Sequence, residues 1–416
     1  MSTKKTASSR RSRKHVVLCI EGLERRTCRA GDVAVEIDDG FLKVTGDAFG
    51  NEVLVQQVDV QKFRVTGLNG TTVNGLGQQE FVFNGQGVEI GLKDGDDRLV
   101  MNDFNGRRID IERLVIDTGK GRDVVDLDEL TVRGDERVDV YLGSGNQNET
   151  DVLTLDDAVI HPALRVVSGG GDDTVDIEES VFGDDLTIES GTGDDHVTLG
   201  RVAEGLSVAG KIKADLGKGD DSLHVSEVSA ATAEVVLGDG VGDLIVEGIN
   251  VAGQMKIHGG SIFTDIEMTE ITADELVISV PKGRTTADVA DVDVHKLAIT
   301  TGGGVDRVGL VRVSANEVFA KLGKGDDSFL ATDLGSQKST IEAGRGNDEV
   351  TLRASFGMFL SNEMKILGDK GDDRVTINHG RFATLTVDGG AGDDTLEEES
   401  VIVFINEEVK NVETRA

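Results

Sequence analysis

The sequence predicts an all-β protein: a parallel β-solenoid, β-helix or β-roll-like, of about 14 coils behind an N-terminal β cap. Three observations predict it: a recurring Gly/Asp turn, an apolar alternation locked in phase to that turn, and a composition that disfavours helices. The turn reads KDGDDRLVM at 93–101, GKGRDVVDL at 119–127, GGGDDTVDI at 169–177, GTGDDHVTL at 191–199 and GKGDDSLHV at 217–225. It returns as GGGVDRVGL at 302–310, GKGDDSFLA at 323–331, GRGNDEVTL at 344–352, DKGDDRVTI at 369–377 and GAGDDTLEE at 390–398. Weaker copies end at Asp151, Asp243, Asp265 and Asp288, so the turn repeats every 18 to 28 residues, most often 21 or 22. That is one solenoid coil per repeat, and at roughly 4.8 Å of rise per stacked strand the rod is about 65 Å long.

Phase carries the second argument. Two residues after the turn Asp stand Leu99, Val125, Leu153, Val175, Val197, Leu223, Ile245, Val308, Phe329, Val350, Val375 and Leu396. Two further on stand Met101, Leu127, Leu155, Ile177, Leu199, Val225, Leu310, Leu352 and Ile377. A period of 2 puts both columns inside stacked strands and the intervening polar residues in water. The strand before each turn supplies another column, for example Leu186 and Ile188, Leu206 and Val208, Leu385 and Val387. A single coil buries too little to stand alone, so neighbours must cover it.

Composition gives the third. Gly is 54 of 416 residues, Pro only 2, Trp 0 and Tyr 1, and no apolar run approaches the ~20 residues of a membrane helix. The net charge of −34 is uneven: residues 1–29 carry about +7, which leaves about −41 on the rest. So acidic a body repels nucleic acid and attracts cations.

Four regions follow in chain order. Residues 1–29 are a basic leader of export type, and 30–90 form a β-rich cap with a hairpin at Asp39-Gly40 that pairs with the first coil. Residues 91–396 are the solenoid. In 397–416 an apolar strand, Val401 to Ile405, is fenced by Glu and reads as an acidic cap that blocks end-to-end pairing. Between about 250 and 300 the Gly-x-Gly-Asp turn is lost and Pro281 removes a backbone donor, which predicts the weakest part of the rod.

The turn's chemistry suggests a ligand. Glycines with positive φ let successive carbonyls point into the bend, and each coil delivers a carboxylate at a fixed place. Stacked at about 5 Å, neighbouring carboxylates repel by about 1 kcal/mol even at water's dielectric constant. A hard cation with a taste for 6–8 oxygens, such as Ca²⁺, turns that repulsion into cohesion.

Gly169-Gly170-Gly171-Asp172-Asp173-Thr174-Val175 and Gly389-Gly390-Ala391-Gly392-Asp393-Asp394-Thr395-Leu396 resemble the haemolysin-type, or RTX, calcium-binding repeat, G-G-x-G-x-D-x-U-x, the second at every specified position. The resemblance implies Ca²⁺ ligands at Asp97, Asp123, Asp173, Asp195, Asp221, Asp306, Asp327, Asp348, Asp373 and Asp394, completed by glycine carbonyls. The family's repeats run in tandem, whereas one copy per coil here implies a single column of turns. Most copies lack the first Gly, and Lys120, Lys218 and Lys324 stand inside turns. The leader segment Leu23-Glu24-Arg25-Arg26-Thr27-Cys28-Arg29-Ala30-Gly31-Asp32 is similar to the LEPR-XLL N-termini of exported planctomycete proteins, with Arg25 at the family's Pro and Thr27-Cys28 at its Leu-Leu. Both cysteines, Cys19 and Cys28, lie in this leader and read as unengaged, with a disulfide or metal role as the alternative.

The histidines, His161, His196, His224, His258, His295 and His379, fall at different phases of the coil, and none of the familiar catalytic motifs occurs. The expected function is therefore non-enzymatic: a calcium-stabilised structural or adhesive repeat protein, extracellular or at the cell surface. Its expected partners are calcium ions and a surface glycan or matrix protein, with no nucleic acid and no transmembrane segment. A carbohydrate-active or glycan-binding β-helix is the alternative.

Overall fold

The computed structural model describes residues 31–143, 149–201, 205–355 and 361–416, and the leader with its two cysteines lies outside them. All regular elements among these residues are strands. From Gly87 onward they stack in parallel, each pairing with the equivalent strand of the next coil. The chain is a parallel β-solenoid of about 14 coils.

Three strand segments make up a coil. The first follows the turn and carries the two columns read from the sequence: Val175 pairs with Val197 and Val197 with Leu223, Ile177 with Leu199 and Leu199 with Val225, all buried. The strand before the turn adds Leu186 and Ile188, which stack on Ile212 and Ala214. Leu206 and Val208 belong elsewhere, on a third side where they pair with Val228 and Ala230. The sequence reading merged two sides because the third is short, only Val181–Phe182 in one coil, and has no turn motif of its own.

The corner between the first and third sides was not foreseen. There a single residue takes a left-handed conformation, six positions after the turn Asp or, for Glu270 and Asp291, after Thr264 and Thr285, which hold its place: Glu129, Asp157, Glu179, Glu227, Glu270, Asp291, Arg312, Asp333, His379 and Ser400, with φ from 43° to 61°. Non-glycine residues enter this region at some cost, so the corner is held by the pairing on either side of it.

The Gly-x-Gly of the turn has a packing reason. Gly219 has φ 140°, and a Cβ on it would meet the carbonyl oxygen of Gly193 in the coil below far inside 3.0 Å. The turn backbone also hydrogen-bonds along the rod: Lys218 N–H donates to Gly191 O at 2.9 Å, and Gly193 N–H to Lys218 O at 2.8 Å. These carbonyls run along the axis and do not point into the bend as the sequence suggested. Lys120, Lys218 and Lys324 extend into solvent.

The turnless middle is the most regular part. Val241–His258, Phe263–Val280, Arg284–Thr301 and Arg307–Lys324 are strands of 18 residues each, paired over most of their length. Pro281 lies outside these strands at an exposed corner, where no ladder bond is lost. The reading of Asp243, Asp265 and Asp288 as turn aspartates is corrected: Asp221 pairs with Gly242, and Thr264 pairs with Gly242 and Thr285. The motif slipped in phase there, so Asp243, Asp265 and Asp288 are exposed and Leu244 and Val246, not Ile245, face the core.

At the N-terminal end, Asp32–Asp38 and Phe41–Thr45 form an antiparallel hairpin through Asp39-Gly40, and Phe41–Thr45 starts the parallel stack by pairing with Gly87–Gly91. At the other end Ile402–Lys410 pairs in parallel with Arg381–Asp388; Val401, Val403 and Val409 pack against the core, and Ile402, Phe404 and Ile405 remain exposed.

Gly219→Ala is expected to cost on the order of 3 kcal/mol or more, because a backbone oxygen cannot yield. Gly303→Ala, where nothing lies within 4 Å, should stay within about 0.5 kcal/mol. Urea unfolding of the two variants against the parent checks both.

Candidate functional site

The second Asp of each turn points inward. Asp97, Asp123, Asp151, Asp173, Asp195 and Asp221 form one stacked run, and Asp306, Asp327, Asp348, Asp373 and Asp394 a second, none more than 4 % exposed. Within each run, one coil's backbone N–H donates to Oδ1 of the next coil's Asp. Asp123 donates to Asp151 at 2.8 Å, Asp173 to Asp195 at 2.9 Å, Asp327 to Asp348 at 2.8 Å and Asp373 to Asp394 at 2.8 Å. Asn51 N–H enters the first run at Asp97 Oδ1, 2.6 Å, and Thr285 N–H enters the second at Asp306 Oδ1, 2.7 Å. Asp394 N–H leaves it at Glu413 Oε2, 2.7 Å.

The first Asp of the pair builds a second ladder in the opposite sense, on the outside. Asp194 N–H donates back to Asp172 Oδ1 at 2.9 Å, Asp220 to Asp194 at 2.8 Å, and Asp393 to Asp372 at 2.9 Å. Asn347 takes the same role, accepting from Asp372 N–H at 2.9 Å. An amide thus suffices outside, and the Asp-Asp dipeptide satisfies two backbone donors per turn that would otherwise be lost where the strand bends.

The inner run does more than a ladder requires. In all eleven inner aspartates Oδ2 is buried without a hydrogen-bond partner. A buried, unpaired charge is costly, and the carboxyls respond by holding their protons. Burial pushes Asp151 up to about 8, Asp97, Asp195 and Asp327 to about 7, and Asp123, Asp221, Asp348 and Asp373 to about 6, against the N–H bonds that favour the charged form. Asp173, Asp306 and Asp394 are raised for the same reason.

The structure therefore brings all ten expected ligand residues to one edge in two columns. It adds Asp151 and the end members Asn51 and Glu413. Asp151 lay in a degenerate turn, and Glu413 carries no motif that sequence could have signalled. Partnerless buried oxygens are what a cation would seek. Yet among the described residues no three His, Cys, Asp or Glu side chains converge on one point, so an ion here would draw mainly on backbone oxygens. The histidines do not gather: His196 Nδ1 meets Ser222 Oγ at 2.7 Å, and His295 lies 3.9 Å from Asp274 on the surface. Comparison with protein-family models, curated proteins and solved structures gives no match.

Asp195→Ala should leave Asp173 N–H unpaired and cost about 1–3 kcal/mol. Asp195→Asn keeps the acceptor and should cost clearly less; urea unfolding in metal-free buffer compares them. The pH dependence follows from the raised carboxyls. Their unfolded values are near 3.8, so the fold favours the protonated form, and this stabilisation is present at low pH and lost as pH rises through about 6 to 8. The metal-free chain should melt at a higher temperature at pH 5 than at pH 8, and a melting temperature that rises over that interval contradicts the assignment.

Proposed function

We propose that the chain is a non-enzymatic structural or adhesive rod, stabilised by calcium and working outside the cell or at its surface. The observation that carries the reading is the column of buried Oδ2 oxygens, repeated from coil to coil and left unpaired by the protein. Ca²⁺ supplies positive charge and a preference for oxygen ligands, which is the chemistry such a column lacks. The chain's own residues hold the carboxylates in register and orient Oδ1 through the N–H ladder. They also keep water away from Oδ2. The resemblance to haemolysin-type repeats supports calcium as the ion, and the leader's likeness to exported proteins supports the location. A calcium-rich exterior is also where weak sites fill.

A glycan-binding role is the second reading, on one observation. A cleft of about 910 Å³ lies between the cap and the first coils, lined by Gln57, Asn84, Phe104, Arg107, Asp110 and Arg133 among others. It is polar, with Phe104 the one aromatic in its lining, and Phe63, Phe182, Phe329 and Phe382 are buried in the core, which leaves little aromatic surface there for sugar stacking.

Thermal melting followed by circular dichroism tests the calcium role in three buffers: Ca²⁺, chelator, and matched ionic strength without Ca²⁺. A site that binds only the folded chain adds about 2.7 kcal/mol at a hundredfold excess over Kd, so calcium should raise the melting temperature distinctly. Equal melting in all three removes calcium from the function.

A further inference from the structure

Three interior columns of the rod end in charge at its C-terminal end. Glu398 pairs with Ile377 and takes the phase that Leu352 and Ile377 hold in the coils below. Glu407 follows Met364 and Leu385 in the same way, and Arg415 follows Val375 and Leu396. All six predecessors are buried. The three charged side chains meet. Arg415 Nε donates to Glu398 Oε2 at 2.8 Å, its Nη2 lies 2.7 Å from the same oxygen, and Nη2 also pairs with Glu407 Oε1. Glu407 comes from the strand before the last turn, whereas Glu398 and Arg415 come from strands that follow turns, so the pairing spans the mouth of the core. The Glu398 side chain is only 13 % exposed, which sets its charge into the end of the core and not on the rim.

The stability of a single rod does not call for this. Apolar side chains fill the same positions in the coils below, and replacing a partly buried ion pair by hydrocarbon of similar volume is often neutral or stabilising. What the triad changes is the free end. Ile402–Lys410 pairs along one edge with Arg381–Asp388, and among the described residues no strand pairs with its other edge. Val403 and Val409 end neighbouring columns in hydrocarbon, and Ile402, Phe404 and Ile405 are exposed beside that edge. An open edge in apolar surroundings is a template for another chain, and inward-pointing charges blunt it. A second rod stacked there would have to take Glu407 and Arg415 out of water against its own end.

We propose that Glu398, Arg415 and Glu407 form a charged stopper that closes the core at this end and keeps a second copy of the chain from stacking end to end. The rod then works as a single unit of fixed length. The sequence suggested that a fence of glutamates blocks pairing here, but those glutamates differ in phase. Glu398 and Glu407 stand at inward positions, whereas Glu399 and Glu408 pair with the outward Asn378 and Thr386 and take no part in the stopper.

Sedimentation velocity and small-angle X-ray scattering of the full chain, over a range of concentrations, test this. The parent should show no end-to-end association. Glu398→Leu/Glu407→Leu/Arg415→Leu, which continues all three columns in hydrocarbon, should form concentration-dependent species with about twice the parent's maximum dimension. Glu399→Leu/Glu408→Leu removes outward charge from the same end and should behave as the parent does, and circular dichroism verifies the fold of both variants. Arg415→Leu alone gives a second readout: hydrogen exchange across Ile402–Lys410 should quicken several-fold, because Glu398 and Glu407 lose the cation between them. If the triple variant does not fold, this exchange and the state of the parent decide. End-to-end association of the parent, a folded triple variant that does not associate, equal association of the outward pair, or unchanged exchange in Arg415→Leu overturns the proposal.

Discussion

The structure depends on one repeated exchange: a backbone N–H at the bend of each coil donates to the carboxyl of the next coil's aspartate. A parallel solenoid loses its regular ladder wherever a strand turns a corner, and a buried corner cannot leave donors to water. The Asp-Asp dipeptide repairs this with two ladders of opposite direction, one buried and one exposed. The inner ladder needs only one carboxyl oxygen, so every coil that uses it acquires a second oxygen in a place without donors. The electrostatics of the chain follow from that surplus.

How the surplus is handled varies along the rod. Where Thr118, Ser168, Ser190 or Thr301 is present, a hydroxyl lies beside the carboxyl. With or without that hydroxyl desolvation dominates: Asp195 beside Ser190 and Asp327 beside Leu322 are both pushed up to about 7. Three central coils avoid the issue with Gly242, Thr264 and Thr285, and there the strands run unbroken for 18 residues. The glycine pair Gly217 and Gly219 shows the other side of the same geometry: coils close enough to exchange these bonds have no room for a Cβ at the turn.

Much of this was legible in the sequence because the solenoid ties the turn to the strand after it at fixed phase. The register of Val175, Val197 and Leu223 and the common phase of the ten expected aspartates followed from counting, whereas the burial of their carboxyls did not. Counting failed where the motif decayed. The GDGVGDLIV copy invites Asp243 as the turn residue, yet pairing with Asp221 selects Gly242, since alternation there continues through Leu244 and Val246. Pro281 looked disruptive because its place at a corner is a tertiary fact. The left-handed corner went unread although seven of its ten residues, Glu129 and Glu179 among them, are Asp or Glu, because in so acidic a chain that enrichment does not stand out from sequence alone.

The central claim is that the inner carboxyls are not ordinary surface charges: in the metal-free rod burial holds their protons to about pH 6 to 8, well above the usual carboxylate range. NMR titration of chain labelled with ¹³C at the aspartate carboxyl carbons, followed from pH 3 to 9 without metal, tests this most directly. The account expects a distinct group of aspartates that stays protonated until about pH 6 to 8, apart from the exposed majority. Titration of all the aspartates together near their ordinary value, with the chain still folded, would contradict it.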